Sequence, residues 1–530
     1  MKTTSKKTFL TATFLLAVSL FSFAQTLNDA MRLTDNEQFN KATTLFKQLI
    51  KQNPNNGDAY FYLGENYFAN KNLDSAKIVY QKGADLVPEN PLNYVGLGKI
   101  EWYDNNAKDA QANFYKALTI SKSKNAVVLM KIAEAYTNAD TKDLAQAMKL
   151  LTQAQTMAPN NPEVYILLGD VYLAQADGSN AVSEYEKATN LDKKSVIGIL
   201  RLGQLYGRAQ NYNLSFDYFK QANAIDSSFA PAYREKAELL AQAGQFDKAI
   251  DQYKKFLAIN DDLSARERYA SFLFLSKKYK ETVDEITQIL QKDTSNIYMY
   301  RLIGYGQYET KNYTDGLKNM NKFFSKVKNT EIKILPSDYA YEGKLLSATG
   351  QDSLAILQLK QALQLDSTQS DLYGQLGEIY YKLKKYPECE QAYRKKISLG
   401  QANANDYNAL GIACYQNQDY VQCDSAFAEI TRVIPNWAPA YMWRARANAQ
   451  LDPDSKQGRA KPFYEQYIQK AEPDSLKNKN GLIEAYGYLG YYYALQKDEA
   501  NAKIYWGKVR DLDPSNIQQK AYFKSLEHKK

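Results

Sequence analysis

The sequence predicts an all-α protein, an α-solenoid of about fourteen helix–turn–helix units. Three observations predict it. A small residue within an apolar stretch recurs at Ala30, Gly64, Gly98, Ala133, Gly169, Gly203, Ala237, Ala270, Gly304, Gly343, Gly377, Gly411, Ala445 and Gly490, and most steps between neighbours are 34 residues. Each period holds two short apolar-periodic stretches split by Asn, Asp or Gly, as Asn70, Asn72 and Asp74 lie between Tyr67 and Ala76, the pattern of two helices joined by a tight turn. Finally, 530 residues exceed what one hydrophobic core organises, which requires several domains or an extended array.

Composition narrows the function classes. With 45% hydrophobic and 24% charged residues the chain is neither a membrane bundle nor a disordered polymer. The formal charge is +8, three of the lysines (Lys2, Lys6, Lys7) fall in the first 24 residues, and no long basic run appears, so nucleic acid is not an expected partner. A single histidine, His528, and three cysteines leave few candidates for metal sites or for the commonest acid–base catalyst. The expectation is a non-enzyme with no cofactor.

In chain order, residues 1–24 carry three lysines, an apolar stretch from Phe9 to Phe23, and Ser22-Phe23-Ala24. They read as an export signal cleaved after Ala24, which leaves no membrane span. A first array follows over 25–325. Within each unit, a small residue on the first helix and Ala on the second let the two backbones approach, and Leu and Tyr between them fill the gap to the next pair. One pair alone cannot bury its apolar face, so stacking is obligatory. Pro54, Pro88, Pro159, Pro435 and Pro514 end second helices. The period breaks at a connector over 326–336, read as a hinge between sub-arrays, and again within 452–457 and around 473–480. A second array spans 337–515, and 516–530 reads as a polar-faced capping helix with a tail.

Tyr60, Leu63, Gly64, Tyr67, Ala76, Tyr80 and Pro88, and again Tyr486, Leu489, Gly490, Tyr493, Ala502, Trp506 and Pro514, fit W-x2-L-G-x2-Y…A-x3-F…P with Tyr as the first aromatic. Here the chain resembles the tetratricopeptide repeat family, over about residues 25–516. The resemblance implies a right-handed superhelix whose first helices line a concave groove for peptides or helices. Helical spacing places Phe61, Glu65 and Phe68, then Leu92, Val95, Lys99 and Trp102, then Tyr298, Arg301, Tyr305 and Tyr308 on that face. The last four form one stripe that reads as spare to the fold, extended by Phe274 and Lys344, and this is the expected partner site, with Val95, Lys99 and Trp102 the second choice. Glu65, Glu134, Asp170, Glu238 and Glu378 fall where a clamp for a partner's terminal carboxylate needs neutral or basic groups, so no such clamp is expected.

Other features carry plainer readings. Gly96-Leu97-Gly98-Lys99 lies inside an expected helix and lacks the rest of a phosphate-loop fingerprint, so packing explains it. Cys389, Cys414 and Cys423 fall at inner positions and read as buried packing, with a Cys414–Cys423 bridge the alternative. Asp-Ser-apolar triplets begin at Asp74, Asp352, Asp424 and Asp474; they are similar to the O-glycosylation acceptors of exported proteins in some Gram-negative bacteria, and capping is the competing explanation. The functional expectation is a non-catalytic periplasmic scaffold for protein partners in a cell-envelope complex, serving export, outer-membrane assembly or energised uptake. The alternative is a glycan or small-ligand binder that uses the aromatic groove.

Overall fold

The computed structural model describes residues 26–328 and 330–527, so the expected export segment at 1–24 and His528 lie outside the described residues. Every secondary-structure element among the described residues is helical. Fourteen helix pairs follow one another, from the pair 26–35 and Phe39–Gln52 to the pair Lys479–Leu495 and Glu499–Leu512. The chain divides into two compact units, one ending at Asp293 and the other starting at Thr294. The first holds repeats 1–8. The second holds repeats 9–14 and the last helix, Ile517–Glu527.

The recurring small residue does what close approach requires. A Cβ added to Gly64 would sit 2.2 Å from the Tyr80 ring, one on Gly169 2.4 Å from Tyr185, and one on Gly377 2.5 Å from Tyr393. In each case the glycine belongs to the first helix and the ring to the second helix of the same repeat. One turn before the ring, the second helix carries its own small residue. Ala76, Ala181, Ser215, Cys389 and Cys423 all fill that place and are fully buried. The atypical repeats 8 and 9 keep the scheme with other chemistry: Thr282 and Ile286 are fully buried, and Gly304 faces the Met320 thioether. All three thiols are free and buried, so no bridge joins Cys414 to Cys423.

Two residues make most intra-repeat turns. After the first helix of repeat 2 (Gly57–Ala69), Asn70 ends the helix and Lys71 takes a left-handed conformation with φ 58°. The Asn72 N–H then reaches back to the Tyr67 carbonyl, closing a Schellman-type end. Asn72 itself caps the second helix (Leu73–Leu86) by accepting from the Ser75 N–H. The same left-handed position is Lys277, Lys311, Lys384 and Lys497 in later repeats, and glycine only at Gly244 and Gly350.

The insertions are built rather than loose. The buried Asp452 carboxylate accepts backbone N–H bonds from Gln457 and Arg459, which winds 452–460 around it. The Asn478 amide donates to the Ala471 and Asp474 carbonyls across the turn after Glu472–Asp474. The final helix closes the second unit as a cap, with Tyr522 stacked on Trp506 and Arg510 over the Phe523 ring.

Candidate functional site

The first unit contains a half-open groove. The residue that follows each small residue of a first helix points to the concave side, and in repeats 2–5 it is Glu65, Lys99, Glu134 and Asp170. Opposite charges one repeat apart therefore meet. Lys99 Nζ lies 2.9 Å from Glu65, which also accepts the Tyr80 hydroxyl bond. Lys131 bridges Glu134 and Glu163 at 3.0 Å each, and Arg201 forks onto Asp170, which accepts from Tyr185. Burial pulls the Lys131 ammonium down, but Glu134 and Glu163 outweigh it and hold it well above its usual value. Burial likewise pushes Glu134 up, and Lys131 and Lys99 overcome this to hold it at about 2. Glu65, Glu134 and Asp170 are thus committed to the ladder.

The ladder curves until repeat 1 meets repeats 6 and 7. The Asn36 amide donates to Ser228 Oγ at 3.0 Å and to Asp226 at 3.4 Å, and Arg234 donates to both Glu37 oxygens at 2.9 and 3.1 Å. On the concave side of repeats 1–6 lies a half-open cavity of about 550 Å³. One wall is apolar, with Met31, Phe46, Tyr62, Phe68, Ile166, Leu167 and Ile197; the other carries the ladder and Asp35. Asp35 ends the helix 26–35 and is solvent-exposed at the rim of the lumen. Among the described residues its carboxyl has no hydrogen-bond or ion-pair partner. The surrounding protein mass raises its carboxyl above the ordinary 3.8, Lys131 opposes, and Glu163 and Glu134 add to the rise. Its seat at a helix C-terminus, where the dipole is negative, works in the same direction.

The stripe that sequence spacing assigns to a partner is spent on the fold. Arg301 is buried, and its guanidinium donates to both oxygens of the fully buried Asp338 at 2.8 and 3.0 Å and to the Lys333 carbonyl at 2.8 Å. Tyr305 is buried too, its hydroxyl bonded to Asp338 and its ring stacked on Tyr341. The stripe is therefore not spare, because the 328–335 connector brings Asp338 onto it. Asp338 also accepts from the Leu335 N–H as part of the capping box of the helix Pro336–Ala348, so Arg301 and Asp338 hold the connector at Lys333 and Leu335.

Tyr298 is half exposed, and Tyr308 with Lys344 joins an aromatic cluster around Tyr341. Phe274 belongs to the first unit, edge-on to Tyr279. Of the second choice, Val95 and Trp102 are also buried, Trp102 donating to the Thr141 carbonyl and meeting Tyr136 edge-on. Only Lys99 reaches the lumen. Gly96 packs on Tyr80 within the helix Pro91–Tyr103. Of the Asp-Ser-apolar triplets, Ala76 and Ala426 are buried in helices, whereas Leu476 stands almost fully exposed in a turn.

Sequence reasoning missed Asp35, Asp338 and the clasp. For the ladder a signal existed: Glu65 and Lys99 are one period apart, and Asp170 and Arg201 nearly so.

Comparison with known proteins agrees with the repeat chemistry. Two family models described as tetratricopeptide repeat match, one at residues 33–95 and 138–201 and the other at 370–400. The C-terminal part of a TPR repeat-containing protein from Cytophaga hutchinsonii is 38% identical, the match covering 48% of this chain and 97% of that one, with a TM-score of 0.40. The TPR repeat-containing protein YpiA of Bacillus subtilis is 23% identical over 49% of this chain, and anaphase-promoting complex subunit 3 of Schizosaccharomyces pombe 26% identical over 33%. The chain spans 61% and 26% of the length of these two curated relatives, respectively. With family models matching in both units, the chain is a tetratricopeptide repeat protein.

Proposed function

We propose that the protein is a non-catalytic scaffold whose first unit holds a segment of a partner protein inside the ring of repeats 1–7. The observation that carries this reading is the groove, in which apolar and charged side chains from successive repeats face one lumen. That pairing suits a peptide, whose side chains are both apolar and charged. One of the relatives is by name a subunit of a larger complex, which is in keeping with a scaffold. The composition of residues 1–24 supports export, and we place the scaffold in the periplasm, within a cell-envelope complex.

A photo-cross-linking residue at Tyr62, in the lumen, is compared in intact cells with one at Tyr115, exposed on a second helix. A discrete protein captured at Tyr62 and not at Tyr115 supports the reading; equal capture at both positions, or none at Tyr62, refutes it. Mass spectrometry of the N-terminus tests export separately: the mature chain starts at Gln25, and an intact Met1 species in the cytoplasm overturns the assignment.

A further inference from the structure

We propose that Ser475 is an acceptor for O-linked glycosylation, its hydroxyl taking a sugar from a glycosyl donor activated as a phosphate or diphosphate ester. This rests on the export reading, because the Asp-Ser-apolar pattern is similar to that of acceptors in exported proteins.

Four such triplets occur in the chain, and the fold uses three of them. Asp74-Ser75-Ala76 opens the helix Leu73–Leu86, where the Ser75 N–H donates to Asn72 and Ala76 is fully buried at the close-packed position. Asp352 is buried, paired with Lys382 at 2.7 Å and accepting from Ser347 Oγ at 3.3 Å. Asp424 accepts from Arg444 at 2.7 Å, Ser425 Oγ donates to the Val421 carbonyl, and Ala426 is buried. All three triplets are helical. Consecutive side chains of a helix point about 100° apart, so one enzyme site cannot take the acid, the hydroxyl and the apolar group together without unwinding a turn.

Asp474-Ser475-Leu476 is different. It lies in the insertion between the helices Lys461–Ala471 and Lys479–Leu495, Asp474 ending the short turn Glu472–Asp474. The Asp474 carboxylate and the Ser475 hydroxyl have no partner among the described residues. Leu476, at 90%, is the most exposed large hydrophobic side chain among them. Capping does not explain the triplet either, since the next helix starts after Asn478. Beneath it the insertion is fixed: Glu472 accepts from Lys508 and Tyr486, and the Asn478 amide donates to the Ala471 and Asp474 carbonyls. A segment held in place loses less freedom when an enzyme docks on it, and a bulky substituent on an exposed turn displaces no packed side chain. In the transfer, Ser475 Oγ forms a bond to the anomeric carbon of the sugar. The bond from that carbon to the phosphate oxygen breaks, its electron pair leaving with the phosphate, and the hydroxyl proton passes to a base of the transferase.

The test is mass spectrometry of the full chain purified from its native cells. Trypsin cuts after Lys470 and Lys477, and Ser475 carries the only hydroxyl of the peptide 471–477. The expected result is that this peptide bears the mass of one or more sugars, which alkali removes by β-elimination, while the peptides holding Ser75, Ser353 and Ser425 are bare. Ser475→Ala loses the sugar, Ser475→Thr keeps it, and Asp474→Asn and Leu476→Asp each lose it with the melting temperature unchanged. A bare 471–477 in a mature chain that starts at Gln25 overturns the proposal and leaves export standing. A bare peptide in a chain that starts at Met1 overturns the export reading and the acceptor with it. A phosphate in place of the sugar overturns the glycosyl assignment. Equal occupancy at Ser75, Ser353 or Ser425 overturns selection by exposure, and a sugar retained in Asp474→Asn overturns recognition of the triplet.

Discussion

Replacing Arg301 by Ala should open the start of the second unit. Asp338 is fully buried, and it then keeps only the Tyr305 hydroxyl and the Leu335 N–H as donors. It loses two guanidinium bonds, the Lys333 carbonyl loses its donor, and Phe323 loses the cation that lies 4.7 Å from its ring centre. Removing one partner of a buried ion pair costs about 3–5 kcal/mol, because the remaining charge is stranded rather than because the pair was strong. The distinction sets the control. Arg301→Met combined with Asp338→Asn should cost markedly less than Arg301→Met alone, since an Asn oxygen can still accept from Leu335 and no charge is left behind. Urea unfolding gives the total. Hydrogen exchange gives the place, which should be 297–365, because an array divides its energy among neighbours. A loss under about 1 kcal/mol for Arg301→Ala, with unchanged exchange at 331–348, would refute the argument.

Four further outcomes follow from the same geometry. Gly377→Leu drives a side chain into the Tyr393 ring, already 2.5 Å from an added Cβ, and should cost about 1–3 kcal/mol or more, with exchange rising between about 340 and 450; a uniform rise over the whole chain would contradict an array. Glu342, raised to about 7 by burial and by Asp338 from an ordinary 4.5, takes up a proton on folding. Its stabilising contribution therefore falls as pH rises from about 4.5 to about 7, by roughly 3 kcal/mol at most, and the stability of Glu342→Gln relative to the parent should rise between about pH 4 and about pH 8. Burial pushes the Cys389 and Cys423 thiols up to about 12, so iodoacetamide should label none of the three cysteines until urea unfolds the chain. Arg234→Ala should release the clasp at a cost of about 1 kcal/mol, the pair being partly exposed, and should raise exchange in 26–52 while sparing repeats 2–5.

Much of the fold is legible in the sequence because a repeat states its own packing many times. The recurrence of a small residue before Tyr80, Tyr185 and Tyr393 reports a helix–helix contact that only a missing side chain permits, and single departures such as Thr282 or Met320 do not hide it. The site is less legible, for two physical reasons. Helical spacing tells which residues leave the pair, as it did for Arg301 and Tyr305, but not what the next connector brings to meet them; the Leu335-Pro336-Ser337-Asp338 turn reads locally as a helix start, and only the folded chain shows its carboxylate accepting the guanidinium. The meeting of Asn36 with Ser228, 192 residues apart, depends on small rotations summed over many repeats, which no motif position encodes.

The clasp also sets a schedule. Glu37 and Arg234 are separated by 197 residues, so at a synthesis rate of about 5–20 residues per second the first repeat waits roughly ten to forty seconds for its partner to emerge. Through that interval the face carrying Asn36, buried in the finished ring, stays open to the surroundings, and a linear stack that grows one pair at a time has to bend back on its own beginning. The first repeat is then made well before it is secured, which gives a chaperone a window on nascent chains that closes when repeat 7 arrives.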